Sequence, residues 1–532
     1  MRATMWTMDP GLYVLFLLFL LQVVPGTTAA RPCVPKFVGV NAMVCVCNAT
    51  YCDTLDPVSL PPMGHYLKYE SSKAGKRLEL SKGKLRPNCS GTGLQYKYNP
   101  FVQYQRIKGF GGSHTDAAAI NIMRLSPGAQ DKLLRSYFAE DGIEYNLLRL
   151  PMGCSDFSTH PYSYDDNCRD DWELKCFKLA PEDTDLRIPL LHRIMALSKR
   201  PLSLVASPWT GPSWLRTSNE VGGKAKIKGE AGDRYHKTWA RYFIRFLDEY
   251  ASCNVTFWAI TAQNEPVFSA FMVIEDFPTT LFSAKEQRDF IIKDLGPALT
   301  SSPHRDVLLI ILDDLRINLP NWANVVIGNS SAAQYVSGIG LHWYLDSVIP
   351  PGLTIEATYR LYPNYFILYT ESANGFQAFE KKVDLGSWKR GTRYSRSILT
   401  SLNNFCTGWI DWNLALDMIG GPNWVANFVD SPIIVDSLKD EFYKQPMFYH
   451  LAHFSKFIPE GSVRVSLTCS SPFSSCQLQT AGFLRPDGIA VAVVLNGCFF
   501  DVAFSILDNR FGYIEDVAQA YSIQTYLWKT GL

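Results

Sequence analysis

Short apolar runs recur along the middle of the chain, and each of them ends on polar or glycine residues. Eight such runs lie in order: Ile107–Gly112, Tyr145–Pro151, Leu202–Trp209, Phe257–Glu265, Val307–Asp313, Ile339–Tyr344, Phe366–Glu371 and Gly408–Trp412. The runs are continuous rather than alternating, which is typical of parallel strands that are covered by helices on both faces.

Amphipathic segments between these runs predict helices. A Ser-Pro pair at 126–127 is typical of a helix N-terminus, and apolar positions 133, 134, 137 and 138 follow it. Aromatic residues from Tyr235 to Tyr250 recur at i, i+4, i+7 spacing, and Ser283 with Glu286 has the capping-box pattern. Eight strand-helix units in about 300 residues predict an α/β fold, the (β/α)8 TIM barrel.

At both ends of the chain, apolar and polar residues alternate with a period of two. Leu94 to Tyr98 alternates before the barrel, and Ile489 to Leu495 and Ile523 to Trp528 form further strand-like segments after it. Because an isolated hairpin is marginally stable, the two ends are expected to share one module. We therefore predict a β-sandwich from residues 59–104 and 462–532, and a barrel from 105–412 with 446–461.

Composition excludes several classes of protein. Hydrophobic residues make up 47% and charged residues 19% of the 532 residues, so most of the chain is expected to be ordered. Lys plus Arg number 51 against 50 Asp plus Glu, a net charge of +1. Without a strong positive field, a nucleic-acid partner is not expected.

The first thirty residues have the order of a secretory signal peptide. Arg2 precedes an apolar run from Leu12 to Val24, and small residues end the segment at Ala30. The apolar run is shorter than the ~20 residues of a spanning helix, and no later stretch is apolar for long enough. We expect a soluble or peripheral protein that enters the secretory pathway.

An oxidising compartment changes how the 13 cysteines are interpreted. Four cysteines near the mature N-terminus, Cys33, Cys45, Cys47 and Cys52, are candidates for two disulfides. Two further candidate pairs are Cys168 with Cys176 and Cys469 with Cys476. Zinc ligation is the alternative for the first four, although no His or Cys pair follows at ligand spacing. Four sequons predict N-glycosylation at Asn48, Asn88, Asn254 and Asn329.

Candidate chemistry lies at the ends of the predicted strands, because catalytic groups of a TIM barrel sit at the carboxyl ends of its strands. The fourth run ends at Glu265 and the seventh at Glu371, on nearly opposite walls of one mouth. The other strand-end candidates are Arg149, Asp156, Trp209, Asn264, the segment His342-Trp343-Tyr344 and the segment Asp411-Trp412-Asn413.

Two facing carboxylates are what glycoside hydrolysis requires. The pattern predicts that Glu371, beside Arg149, is the ionised nucleophile and that Glu265 is an acid with a raised pKa. Trp209, Trp343, Tyr344 and Trp412 are expected to stack on a sugar, whose hydroxyls Asp156 and Asn264 would bind.

Metal and cofactor chemistry are not expected. The chain contains no Gly-x-Ser-x-Gly elbow, His-Glu-x-x-His pair or phosphate loop. The glycine-rich segment Gly109 to Gly112 lacks dinucleotide-binding spacing. His450 and His453 have helical spacing, but the sequence shows no third metal ligand near them.

These motifs together resemble a known family. Asn264-Glu265-Pro266, His342-Trp343-Tyr344-Leu345-Asp346, Asp411-Trp412-Asn413-Leu414-Ala415 and Gly421-Pro422-Asn423-Trp424 are similar to segments of the acid glucosylceramidases of glycoside hydrolase family 30. The similarity covers essentially the whole mature chain, including the cysteine cluster at its N-terminus.

The resemblance implies a retaining β-glucosidase that splits glucosylceramide into glucose and ceramide. Glu265 would be the acid/base and Glu371 the nucleophile. Residues that match family positions around the glucose are Arg149, Asp156, Phe157, Trp209, Asn264, Tyr344, Trp412 and Asn427. A small three-stranded antiparallel sheet, disulfide-clamped and built from 31–58 and 413–445, is also implied.

The resemblance further implies a cellular setting. The enzyme would work in the lysosome with an activator saposin and an anionic phospholipid membrane surface, and would reach it through a sorting receptor. The receptor-binding helices would fall between Asp430 and Leu451.

Some positions depart from the family pattern. Gln263 replaces an acidic residue, and the loop from Val267 to Phe282 lacks an expected Tyr-Pro-Phe segment. Two alternatives therefore stay open: a related β-glycosidase with another sugar or aglycone, and a non-catalytic protein that binds sugar or escorts a receptor.

Overall fold

A closed barrel of eight parallel strands forms the centre of the computed structural model, which describes residues 30–470 and 476–531. The barrel strands are β1 (Gly109–Ser113), β2 (Leu147–Met152), β3 (Ser203–Pro208), β4 (Ala259–Thr261), β5 (Leu308–Leu315), β6 (Gly338–His342), β7 (Phe366–Glu371) and β8 (Gly408–Asn413). They pair in chain order, and β8 closes on β1. Each overlaps one of the eight predicted runs, so the TIM barrel is confirmed.

Helices surround the barrel and cover its outer face. They are α1 (Asp116–Met123), α2 (Pro127–Phe138), α3 (Ile188–Leu197), α4 (Arg234–Ser252), α5 (Ala284–Phe290), α6 (Gly296–Ser301), α7 (Asn321–Val326), α8 (Ser330–Ala333), α9 (Ile355–Leu361), α10 (Trp388–Asn403) and α11 (Pro446–Ser455). Among the described residues, none of the helices is both long and apolar enough to cross a bilayer. The predicted signal segment, residues 1–30, lies outside the described residues except for Ala30.

Local sequence signals explain where these helices begin. Helix α5 has the complete capping box, because Ser283 accepts from the backbone of Glu286 and the Glu286 side chain accepts in return. Helix α4 starts after Asp233, whose carboxylate accepts from the backbone N–H of His236, and it buries its aromatic face.

The glycines of the first strand allow close approach to the second. A Cβ atom at Gly111 would lie 1.8 Å from the carbonyl oxygen of Leu147. The glycine-rich segment is therefore a packing feature of the barrel wall.

A second module joins the two ends of the chain into one nine-stranded sheet. Its strands, in order of pairing, are Gly512–Ala518, Val502–Asp508, Leu94–Arg106, Val463–Cys469, Gln479–Leu484, Ile489–Asn496, Ser522–Lys529, His65–Ser72 and Glu79–Lys84. All neighbours are antiparallel except Val502–Asp508 with Leu94–Arg106. A separate apolar core that includes Tyr98, Val465 and Trp528 belongs to this module.

The small sheet differs from the expected three-stranded antiparallel one, since it has five strands. These are Pro35–Gly39, Ala42–Asn48, Glu441–Lys444, Ile433–Asp436 and Leu416–Asp417. Two hairpins supply the first four, and the chain leaving β8 adds Leu416–Asp417 parallel to Ile433–Asp436. Such a two-residue edge strand carries no periodicity that a sequence can reveal.

Disulfides clamp this sheet and two loops. The bonds are Cys33–Cys45, Cys47–Cys52, Cys168–Cys176 and Cys476–Cys498. No thiolate of the first four is left for zinc. The predicted bond between Cys469 and Cys476 is wrong, because Gln479 pairs with Leu495 and this register places Cys476 beside Cys498.

The four sequons lie in surface loops or at the end of elements. Asn88 and Asn254 are exposed, whereas Asn48 and Asn329 are half-buried. The Oδ1 of Asn329 accepts from the backbone N–H of Ser331 and caps α8. Glycosylation at the four sites stays a prediction.

The stretch expected to carry receptor-binding helices is built differently. Between Asp430 and Leu451 lie two strands of the small sheet and the beginning of α11. Every residue of α11 is buried. The stretch therefore holds strands and one buried helix rather than exposed helices, and receptor binding in it stays a prediction.

Candidate active site

The two predicted glutamates lie together at the mouth of the barrel. Glu265 follows β4, and Glu371 is the last residue of β7. One carboxylate oxygen of each, together with a ring nitrogen of His342, lies within 4.8 Å of the others. Both residues are almost fully buried, at 4% and 5% exposed. A carboxyl pair at about 5 Å suits attack on one sugar carbon by one group and proton transfer by the other.

Both oxygens of Glu371 are held by donors. The Nη1 of Arg149 donates to Oε2 at 2.7 Å, and the hydroxyl of Tyr344 donates to Oε1 at 2.6 Å. Burial raises the pKa of Tyr344 well above its usual range, so the phenol keeps its proton and remains a donor. The attacking oxygen is thereby fixed in position.

Glu265 has a different environment. The Nδ1 of His342 lies 2.9 Å from Oε1, and the hydroxyl of Ser269 donates to Oε2 at 3.3 Å. Burial raises the pKa of Glu265 to about 7, although His342 opposes the shift. The group therefore carries a proton in mildly acidic solution, as a general acid must.

His342 belongs to the site, and so does Asp313, which the sequence interpretation did not select. The Nε2 of His342 lies 3.1 Å from Oδ1 of Asp313, and the Nη2 of Arg149 donates to Oδ2 at 2.8 Å. Burial disfavours the charge on His342, but Glu371, Asp313 and Glu265 outweigh it and raise its pKa to about 10. Burial of Asp313 is likewise outweighed by Arg149 and His342, and its pKa falls well below the usual range. Asp313 ends the fifth predicted run, and that position was the signal that could have found it.

Arg149 connects the two walls of the mouth. It is fully buried, and besides Glu371 and Asp313 it donates to Oδ1 of Asn264 at 2.7 Å and to Oγ of Ser207 at 3.1 Å. Strands β2, β3, β5 and β7 and the segment after β4 therefore share one cation. Its charge compensates the carboxylates that surround it, which a buried site requires.

The backbone is strained beside these groups. Glu265, Leu312 and Asp313 have φ values of +42°, +67° and +55°, in the left-handed region that side chains other than glycine disfavour. The pairing of β5 with β6 shifts register between Leu312 and Asp314. Backbone strain of this kind concentrates at functional sites, where it aims side chains.

Aromatic rings form one wall of the mouth. Trp209 and Trp412 stack with their centroids 5.3 Å apart, and Phe157 meets Trp412 edge-on at 6.0 Å. The Arg149 guanidinium lies 4.9 Å from the centre of the Trp209 ring. Such rings offer a flat apolar surface to the C–H face of a sugar.

Polar groups complete the wall at Asp156. Its Oδ2 accepts from the amide groups of Asn423 at 3.1 Å and Asn427 at 3.0 Å. Burial raises the pKa of Asp156 to about 7. Asn423 was not among the predicted site residues, although it lies in the segment Gly421 to Trp424 that carried the resemblance.

Trp343 does not stand where the sugar-stacking prediction placed it. Its Nε1 donates to the carbonyl of Ala373 at 3.1 Å, and its ring packs edge-on against Tyr394 and Trp409. Trp343 directly follows β6 and packs into the core, whereas the hydroxyl of the next residue, Tyr344, reaches Glu371 in the mouth.

The unusual loop from Val267 to Phe282 contributes to the mouth. The Phe268 ring lies 6.2 Å from that of Tyr344 and nearly parallel to it. Phe277 is buried in the aromatic cluster that contains Trp209 and Trp412. The loop therefore forms part of the wall.

Glu265, His342 and Glu371 also have the spacing of a cation site. Each already has partners here, because both ring nitrogens of His342 face carboxylates and Arg149 compensates Glu371. The donor set suits acid-base chemistry better than metal ligation.

Comparison with known proteins identifies the family. The sequence model of the glycosyl hydrolase family 30 TIM-barrel domain matches residues 107–458, and that of the family 30 beta sandwich domain matches residues 461–526. This chain belongs to glycosyl hydrolase family 30. It is accordingly a glycoside hydrolase, and its β-sandwich is that of the family.

Named relatives agree with this family 30 assignment. The chain is 53% identical over 511 residues to lysosomal acid glucosylceramidase of Mus musculus, covering 96% of this chain and 98% of the relative. It is 41% identical over 492 residues to putative glucosylceramidase 4 of Caenorhabditis elegans, covering 92% and 93%. The crystal structure of SrfJ from Salmonella typhimurium shares the fold, with a TM-score of 0.79, 24% identity and coverage of 88% and 100%.

Gln263 has a structural explanation within this family 30 chain. Its amide nitrogen donates to the carbonyl oxygens of Pro208, Trp209 and Asn264, each at 3.0 Å. A carboxylate cannot donate to carbonyl groups, so an ionised acid at this position would not make these bonds. The amide ties the segment after β4 to the end of β3.

Proposed function

We propose that this chain hydrolyses glucosylceramide to glucose and ceramide with retention of configuration, by double displacement. The observation that carries the proposal is the carboxylate pair, Glu265 and Glu371, within 4.8 Å of each other in one buried mouth. The predicted substrate residues Arg149, Asp156, Phe157, Trp209, Asn264, Tyr344, Trp412 and Asn427 lie in or beside this mouth or contact its side chains.

In the first step, Glu371 attacks the anomeric carbon and forms a glycosyl ester, while the bond to the ceramide oxygen breaks. Glu265 donates its proton to that oxygen, so ceramide leaves as a neutral alcohol. In the second step, Glu265 takes a proton from water, and the resulting hydroxide attacks the anomeric carbon. Glu371 leaves as a carboxylate, and glucose is released as the β anomer.

A lipid aglycone is supported by the surface around the mouth. Exposed apolar residues follow the carboxyl ends of four barrel strands: Phe271 and Val273 after β4, Val348 and Leu353 after β6, Phe379 after β7 and Ile419 after β8. A rim of exposed apolar residues at one face is typical of contact with lipid. The name of the murine relative, lysosomal acid glucosylceramidase, supports the sphingolipid substrate.

The proposed setting is the lysosome, reached through the secretory pathway and a sorting receptor. An activator saposin and an anionic phospholipid surface are the proposed partners, with the apolar rim toward the membrane. The raised pKa of Glu265 supports work in an acidic compartment, because the acid form persists there.

Labelling by a glucose-configured cyclitol epoxide tests the reaction. We expect a covalent adduct on a peptide that contains Glu371, and no adduct after Glu371→Gln. Turnover should fall by several orders of magnitude in that variant. Substrate tests should compare glucosylceramide in liposomes with soluble β-glucosides and β-xylosides at pH 5.

The outcomes separate the alternatives. Faster hydrolysis of the β-xyloside than of the β-glucoside would show that the sugar is not glucose. Hydrolysis of soluble β-glucosides without hydrolysis of glucosylceramide would show that the aglycone is not ceramide. Tight binding of a glucose analogue without labelling or turnover would identify a non-catalytic sugar-binding protein.

A further inference from the structure

An acidic loop, residues 165–178, lies between β2 and α3. Four of its residues are aspartates: Asp165, Asp166, Asp170 and Asp171. The bond Cys168–Cys176 crosses the loop, and the backbone N–H of Lys178 donates to the carbonyl of Tyr164 at 2.9 Å. A disulfide and a backbone hydrogen bond therefore hold the loop in a defined shape.

Asp165 is buried in this loop without a partner for its carboxylate. Only 1% of the residue is exposed. Within residues 30–470 and 476–531, neither of its carboxylate oxygens accepts a hydrogen bond. The indole N–H of Trp214 donates instead to the backbone carbonyl of Asp165, at 3.2 Å. A buried carboxylate is costly unless a proton or a cation neutralises it.

Asp171 adds a second carboxylate near Asp165. Its Oδ2 accepts from the backbone N–H of Cys176 at 2.7 Å, so the disulfide-bonded segment fixes its position. Burial, with the charge of Asp171 as the second cause, raises the pKa of Asp165 to about 7, while Trp214 opposes the shift.

The two aspartates also lack a cationic neighbour. Glu173 of the same loop pairs with Arg241 at 3.2 Å. In the described part of the chain, no cationic side chain lies within ion-pair distance of Asp165 or Asp171. Neighbouring carboxylates that repel one another and have no such partner attract a cation.

The donor atoms select the class of cation. Thiolate ligands are excluded because Cys168 and Cys176 are bonded to each other, and the loop contains no histidine. The oxygen ligands that remain suit a hard cation rather than zinc. Ca²⁺ accepts about six to eight oxygen ligands in a flexible geometry, whereas Mg²⁺ requires a near-ideal octahedron. An irregular loop meets the first requirement more readily.

We propose that the acidic loop is a Ca²⁺ site, with the carboxylates of Asp165 and Asp171 as ligands. Asp166 and Asp170 add negative charge to the same loop. Backbone carbonyl groups and water complete the oxygen ligands that Ca²⁺ prefers. The proposal does not depend on glycoside cleavage.

The bound ion has a structural consequence. Phe177 of the acidic loop packs on Tyr242 of α4, with ring centres 5.0 Å apart. An ion that neutralises the buried aspartate therefore fastens the loop to the helical layer of the barrel, and Ca²⁺ is expected to raise the Tm of the protein.

The test compares two double variants of the full mature chain. Asp165→Asn/Asp171→Asn removes both ligand charges and changes the side-chain volumes little. Asp185→Asn/Asp306→Asn is the matched control, because both of these aspartates are exposed and lie outside the loop. Asp171→Asn alone is the second variant if the exchange at the buried position prevents folding. Equal near-ultraviolet circular dichroism spectra in EDTA verify the fold of each protein.

Binding of Ca²⁺ and of Mg²⁺ is measured by isothermal titration calorimetry after metal ions have been removed with EDTA. Tb³⁺ serves as a luminescent substitute for Ca²⁺, and it is excited through Trp214, whose indole bonds to the carbonyl of Asp165. We expect the wild type and the control to bind Ca²⁺ alike, with Tb³⁺ luminescence that added Ca²⁺ removes. The loop variant should bind Ca²⁺ at least about tenfold more weakly, because charged ligands set the affinity of such sites.

The outcomes decide the proposal. Weaker Ca²⁺ binding and a lost Tm increase in the loop variant or in Asp171→Asn, with the control unchanged, support the site. Equal Ca²⁺ affinity of the wild type and these variants, or no Ca²⁺ binding by the wild type, overturns it. Mg²⁺ binding as tight as that of Ca²⁺ overturns the choice of cation.

Discussion

Replacing Glu265 by glutamine tests the assignment of the general acid most directly. Glutamine keeps an acceptor oxygen for His342 and nearly the same volume, so the buried site should fold. It cannot donate the catalytic proton. For a β-glucoside with a poor leaving group, kcat/KM should fall by about 10² to 10⁴-fold, equivalent to about 3 to 5 kcal/mol of transition-state stabilisation.

The pH profile supplies a second signature. With a pKa of about 7, Glu265 is about 99% protonated at pH 5 and about 10% protonated at pH 8. Activity of the wild type should therefore be present below pH 7 and fall about tenfold by pH 8. This decline of activity above pH 7, the basic limb of the profile, should disappear in Glu265→Gln.

The assay compares kcat/KM for an alkyl β-glucoside and for 2,4-dinitrophenyl β-glucoside between pH 4 and pH 8. 2,4-Dinitrophenolate leaves without a proton, so the variant should lose little in kcat/KM on that substrate. Glu79→Gln, an exposed exchange of the same kind on the nine-stranded sheet, is the control. If both substrates lose activity equally, or if the variant keeps a basic limb near pH 7, the acid assignment is refuted.

Three further predictions concern stability. Burial lowers the pKa of His453 to about 3, below an unfolded value of about 6.5, so its stabilising contribution is lost as pH falls from 6.5 toward 3. Between pH 7 and pH 5 the wild type should therefore lose about 2 kcal/mol of unfolding free energy that His453→Asn does not lose, measured by denaturant titration. Gly111→Ala should prevent accumulation of folded protein, because its Cβ would lie 1.8 Å from a carbonyl oxygen of β2. Gly352→Ala, whose Cβ would lie 3.5 Å from a flexible carboxylate, should yield protein with a wild-type Tm; equal yields for both would contradict the packing argument. Cys168→Ser should lower the unfolding free energy by about 2 to 3 kcal/mol through loss of its bond to Cys176, and an unchanged denaturation midpoint would show that this bond is not formed.

The mouth combines groups whose ionisations depend on one another. Asp313 and Arg149 hold opposite charges beneath the carboxylate pair, and His342 lies between Asp313 and Glu265. Loss of the charge of Arg149, His342 or Asp313 would leave a buried charge without its partner, which is costly. Substitutions at these three positions are therefore expected to affect folding and catalysis together.

The sequence alone determined the barrel, because the eight apolar runs and the helical spacings between them are local patterns. The capping box at Ser283, the aromatic face of α4 and the strand-end positions of Glu265 and Glu371 follow from the same local signals. The rule that strand ends share one mouth then places both glutamates together.

Only the tertiary structure decided which distant groups meet. The contacts of His342 with Asp313 and Glu265, the bond of Cys476 to Cys498 and the burial of Trp343 depend on strand register and on which face a side chain takes. A register shift of one residue exchanges the faces of a strand, and no local pattern encodes it where both faces are buried. Composition and the periodicity of apolar residues therefore specify the helices and strands. The pairing of the strands specifies the active site.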